Sequence, residues 1–158
     1  MPYYVFNRTA IRQHEYNLTL HNIPIAFGMW ENATGGKVKF VQVYTVPEEG
    51  ITIEIMPSTF LYKPEAAALG TAVPQAYHFG DHTVIVGGEI KFFPYYGTIP
   101  NLMVLTHEIG HIMGLGHSSD RYNVMHESGF IYSQRITPEI LEALAVLYQD
   151  IPKYEVDE

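Results

Sequence analysis

Positions 107 to 117 read HEIGHIMGLGH, and the rest of the chain is best read outward from them. On a helix His107 and His111 stand four residues apart, so their imidazoles leave one face about a turn apart and can grip one ion from the same side. Glu108 sits one step round that helix, near the ion without being forced onto it. Gly114 can adopt positive φ without a Cβ penalty, which ends the helix and turns the chain back. His117 can then enter from outside the helix as a third nitrogen ligand. Three neutral imidazoles leave a tetrahedral zinc one open position for water, the arrangement of catalytic and not structural zinc. With 8 His and 13 Gly in 158 residues, the pattern H-E-x-x-H-x-x-G-x-x-H has a chance weight on the order of one in ten thousand.

The flanking sequence supplies the helix. Leu102, Leu105, Ile109 and Ile112 form an apolar stripe at helical spacing, with Asn101 as N-cap and Gly114 and Gly116 as stops. Upstream, Leu20, Ile23, Phe27 and Trp30 also fall at helical spacing, with Pro24 either kinking that helix or opening it, and residues 33 to 36 ending it. Lys37 to Tyr44 alternates as a strand with both faces partly covered, and Ile51, Ile53 and Ile55 alternate with Thr52 and Glu54 as the clearest strand. Residues 57 to 70 read as loop with one helical turn at Glu65 to Leu69. Thr71 to Tyr77, Thr83 to Val86 and Glu89 to Phe93 read as short strands parted by glycine turns. A last helix opens at Thr137 and Pro138 and runs through Ile140, Leu141, Leu144, Leu147 and Tyr148. Strands followed by helices argue for an α+β fold, with helices packed on one face of a sheet.

The segment from Asn101 to Met125 resembles the zinc-binding region of the metzincin metallopeptidases. Ser118, directly after the third His, is similar to the matrixin branch, the matrix metalloproteinase type. Met125, in Asn123-Val124-Met125-His126, resembles the Met-turn of that clan at the matrixin spacing. Fainter likenesses lie at Ala26 to Ala33, Gly50 to Pro57 and Thr137 to Tyr148. The resemblance implies a twisted mixed sheet with the active-site helix behind it and a C-terminal helix. It implies a single catalytic domain over residues 1 to 158, divided near residue 117 between an N-terminal sheet with its helices and a C-terminal subdomain. It further implies His107, His111 and His117 as zinc ligands, Glu108 as general base and acid, and Met125 as the apolar floor under the metal.

The chemistry of that assignment stands on its own. Zinc brings the pKa of bound water to roughly 7, and Glu108 can take the water proton and later deliver it to the leaving amine. A covalent intermediate is unnecessary, in keeping with a chain that holds no cysteine and no Ser nucleophile elbow. Met125 also has an ordinary reading as gap-filling core, and Gly110 one as a place where another segment approaches the helix.

Departures from the family pattern also set expectations. Matrixins hold a structural zinc with three His and an Asp; here His78, Asp81 and His82 lie out of register and Lys91 stands near a missing ligand. One catalytic zinc is therefore expected, without structural zinc, and no calcium site is legible around Glu48, Glu49 and Asp81. The zero cysteines leave nothing from which to build a cysteine switch. Where the family keeps an Asp in the last helix to pair with the N-terminal ammonium, Ile140 stands with Glu139 beside it. After Met125 the family's Pro and Tyr are replaced by His126, Glu127, Ser128 and Gly129, read as surface residues, as a reshaped S1' pocket with Phe130 to Tyr132 as its apolar wall, or as a carboxylate near the zinc where astacin-type relatives keep a Tyr. His14 and His21 read as surface residues.

Composition limits the alternatives. A chain of 17.9 kDa with 47% hydrophobic and 16% charged residues folds as one compact unit. A formal net charge of -8 lacks the basic footprint for nucleic acid. No window is apolar enough to cross a membrane, and the start MPYYVFNRTA lacks the pattern of a signal peptide, although the resemblance favours an extracellular setting. The expected partners are peptide or protein substrates of a monomer. Three functions fit: a zinc endopeptidase, a catalytically silent zinc-containing binding module, and a zinc exopeptidase or small-amide hydrolase.

Overall fold

The computed structural model describes residues 1–6, 13–56, 70–93, 101–127 and 134–149. Its elements are β1 (Pro2–Val5), α1 (Gln13–Ala33), β2 (Val41–Gln42), β3 (Ile51–Ile55), β4 (Gly70–Phe79), β5 (His82–Phe92), α2 (Asn101–Ile112) and α3 (Pro138–Leu147). The five strands form one sheet in the order β2-β1-β3-β5-β4. Neighbours pair in parallel except β4, which runs antiparallel to β5 at one edge. This is the mixed sheet with helices expected of a metzincin.

Period-two patterning selects the buried face. Ile51, Ile53 and Ile55 of β3 are fully buried, and their cross-strand partners in β5 include Ile90 and Phe92. The helices cover this face. In α1 the stripe Ile23, Phe27 and Trp30 is buried, with Phe27 stacked on Tyr3 of β1 at 4.3 Å between ring centroids. Pro24 lies inside α1 on the exposed side, so the helix continues past it. Beyond Ala33 the chain turns through Gly35 and Gly36, whose φ values of 63° and 80° suit glycine.

Helix α2 differs from its expected one-sided stripe. Met103 through Gly110 are buried without interruption, because α2 lies between α1 and the β4–β5 hairpin. Trp30 ties the two helices by donating from Nε1 to the Thr106 carbonyl at 3.0 Å.

Two strand expectations change. Lys37 to Tyr44 yields only the two residues of β2: Phe40 N–H donates to Glu31 Oε1 at 2.7 Å instead of to a strand. Val38 and Phe40 are buried on one face, and Lys39 and Val43 are half-buried on the other, where Val41 is exposed, so both faces are partly covered as expected although the strand itself is short. The three short strands between 71 and 93 are instead one long hairpin, turning at Gly80-Asp81 with Gly80 at φ 58°. β5 runs straight through Gly87 and Gly88, with a register shift opposite Gln75 and Ala76; glycine is required at 87 because a side chain there would overlap the backbone of Gly50. The helical turn expected at Glu65 to Leu69 lies outside the described residues.

Candidate metal centre

The site is built on the end of α2. There Gly114 N–H donates to the His111 carbonyl at 3.0 Å and Leu115 N–H to the Gly110 carbonyl at 3.0 Å. Those two bonds, with Gly114 at φ 101°, make a Schellman cap that reverses the chain towards His117. Gly114 thus holds the place expected of it.

His107, His111 and His117 converge. His111 Nε2 lies 3.1 Å from His107 Nε2 and 3.2 Å from His117 Nε2. His107 Nδ1 donates to the Val124 carbonyl and His111 Nδ1 to the Leu115 carbonyl, each at 2.8 Å. A carbonyl can only accept, so both Nδ1 atoms carry the ring proton and both Nε2 atoms present bare lone pairs. Burial opposes charging these rings, lowering His107 to about 4 and His111 below its ordinary value.

Two lone pairs at such a distance repel unless a cation lies between them. Ligand nitrogens on a tetrahedral zinc sit about 3.3 Å apart, given zinc–nitrogen bonds of ~2.0 to 2.1 Å. The donor set therefore fits zinc in element, number and spacing. It is the one group of three His, Cys, Asp or Glu side chains able to hold a metal ion among the described residues.

Glu108 follows His107 on the helix and is buried. Burial pushes its carboxyl up to about 7; a dication close by acts in the opposite sense. Strand β4 begins against it: a β-carbon on Gly70 would stand 2.8 Å from Glu108 Cγ and 3.3 Å from Oε1. Met125 packs from the other side, against Gly110, between the two helical ligands.

Ser118 and Asn123 hold the Met-turn in place. Ser118 N–H donates to the Met125 carbonyl at 2.9 Å, and its hydroxyl donates to Glu139 Oε2 at 3.2 Å. Asn123 is buried; its Oδ1 accepts from Met125 N–H at 2.8 Å and its Nδ2 donates to Thr137 Oγ1 at 3.0 Å and to Glu139 Oε2 at 3.4 Å. Sequence reasoning missed Gly70, Asn123 and the tie made by Glu139. The one available signal was an Asn beside the Met-turn with α3 opening at Thr137. Ile140, next to Glu139, is buried in the core.

A family model described as matrixin matches residues 1–141. The chain belongs to the matrixin family. No curated protein matches it. Membership makes this matrixin a metallopeptidase of a zinc-using family, and its three convergent imidazoles are compatible with that metal.

The remaining candidates of this matrixin sit elsewhere. His78 and His82 flank the hairpin turn on opposite faces, as their pairing with Thr83 and Phe79 requires, and each bonds locally: His78 to Thr83 Oγ1 at 2.9 Å, His82 to Asp81 Oδ1 at 3.1 Å. Lys91 is exposed on β5. His126 and Glu127 follow the Met-turn, whereas Ser128, Gly129 and Phe130 to Tyr132 lie outside the described residues, as does the side chain of His14. No helix among the described residues is long and apolar enough to cross a membrane.

Proposed function

We propose that this matrixin is a zinc-dependent endopeptidase acting on extended peptide segments of protein substrates. The observation that carries the reading is the convergence of three imidazole Nε2 atoms beside a buried carboxylate. His107, His111 and His117 hold one zinc. When bound, zinc supplies a Lewis acid that polarises the scissile carbonyl and brings the pKa of water to roughly 7.

Glu108 orients the attacking water, takes its proton and returns it to the departing amine. Its position beside Gly70 restricts where that carboxylate can point. Strand β4, at the sheet edge, offers backbone N–H and C=O groups with which an extended substrate can pair, fixing the scissile bond in register. Met125 supports the ligands from below. We take the active unit to be a monomer, working in an extracellular setting as the family does.

The test is digestion of a proteome-derived peptide mixture by the zinc-loaded protein and by its Glu108→Ala variant. Internal cuts are expected, falling ~100- to 10,000-fold in the variant while one zinc per chain is retained. Cuts confined to chain ends would replace this reading with an exopeptidase. Zinc retention without cuts in either protein would replace it with a silent binding module.

A further inference from the structure

The pairing that fixes the third ligand also sets an acidic side chain behind it. Ser118 and His126 form an isolated parallel bridge, anchored by the bond from Ser118 N–H to the Met125 carbonyl. His117 therefore runs alongside the segment that follows the Met-turn, and its Nδ1 faces Glu127 Oε2 at 3.9 Å.

A histidine that coordinates through Nε2 must carry its proton on Nδ1, and that proton needs an acceptor to hold the ring at the right angle. His107 and His111 have backbone carbonyls for this purpose, each at 2.8 Å. We propose that Glu127 is the acceptor for His117, closing onto its Nδ1–H when the three Nε2 atoms hold a dication. This rests on the reading of the triad as a zinc site.

Three considerations carry the assignment. Coordination by a dication withdraws charge from the ring and strengthens Nδ1–H as a donor, so contact at 3.9 Å tightens upon binding. His117 is the ligand furthest from helical support, and its side chain keeps 48% of its exposure, so its orientation costs the most entropy to fix. An anionic acceptor makes the imidazole a better base and partly balances a centre of three neutral ligands, which a carbonyl cannot do to the same degree. The assignment also gives a task to the segment where this chain departs from the pattern it resembles. Glu127 is thus a positioning residue acting through His117.

Zinc affinity decides the matter without substrate. Wild type, Glu127→Ala, Glu127→Gln and a charge control, Glu48→Ala, are titrated against a chromophoric chelator, with melting of the metal-free proteins alongside. Glu127→Ala is expected to bind zinc about 10-fold more weakly, Glu127→Gln to fall between it and wild type, and the control to match wild type. Metal-free melting should be the same in all four. Affinity in Glu127→Ala within about twofold of wild type overturns the assignment, as does a changed cobalt spectrum at saturating metal, which would make Glu127 a direct ligand. A wild type that binds no zinc overturns the zinc reading itself.

Discussion

Gly110 and Met125 meet so closely that a β-carbon at position 110 would overlap the Met125 sulfur, with Trp30 Cζ2 only 3.0 Å away. The methionine therefore lies directly on the backbone of α2 at Gly110, the residue before His111. In an open helix Gly→Ala stabilises by ~1 kcal/mol. Here the sign should reverse: Gly110→Ala is expected to cost about 1 to 3 kcal/mol through overpacking. Adding Met125→Ala should recover part of that loss in a urea-denaturation cycle, whereas additive losses would show that the two residues do not share the space.

Gly70 stands in the same relation to Glu108, with 2.8 Å between a would-be β-carbon and Glu108 Cγ. Gly70→Ala should push the carboxylate away from the reacting water. A misplacement near 1 Å can cost ~100-fold, so kcat is expected to fall between ~10- and ~100-fold with KM and zinc content unchanged. An equal loss in KM would place the effect on substrate pairing along β4.

What was legible in the sequence was what the chain builds locally. The ligands His107, His111 and His117 lie within eleven residues, and helical spacing plus one Schellman glycine bring them together. Contacts made across the chain were not legible. Trp30 reaches Thr106 over 76 positions, and Gly70 reaches Glu108 over 38. Gly87 and Gly88 mimicked a turn between two strands because the reasons for glycine there are distant: Gly50 lies against Gly87, and Ile112 of α2 with the Val73 carbonyl of β4 lies against Gly88. Helix α2 has one apolar stripe in sequence but is buried from Met103 to Gly110, since Thr106 packs under α1 while His107 and Glu108 are polar residues buried at the site.

Asn123 is one such distant tie. Replacing it by Ala strands Met125 N–H and removes the donor to Thr137 Oγ1 in a buried setting. We expect Asn123→Ala to cost about 2 to 3 kcal/mol and to weaken zinc binding, because the Val124 carbonyl that holds His107 belongs to the same turn. Chemical denaturation and chelator competition would check the two effects separately. A loss of stability with unchanged zinc affinity would confine Asn123 to packing.

Acid should destabilise the metal-free protein through His107. Burial lowers its pKa to about 4 from an ordinary 6.5, so the folded chain resists a proton that the unfolded chain accepts. The stability involved is fully present above 6.5 and is lost as pH falls from there towards 4, where the difference in proton uptake is exhausted. A shift of this size corresponds to about 3 kcal/mol, and His111 is shifted in the same direction, also chiefly by burial. Glu108, raised to about 7 by burial, takes up a proton in the folded chain over the same range and offsets this loss. The decline of the urea midpoint between pH 6.5 and 4.5 is therefore expected in the chelator-treated Glu108→Gln variant, where that carboxyl is absent. With zinc added the decline should steepen, because protons then compete with the metal for the same Nε2 atoms. A midpoint that stays level across this range, in the absence of zinc, would mean that the interior tolerates the imidazolium.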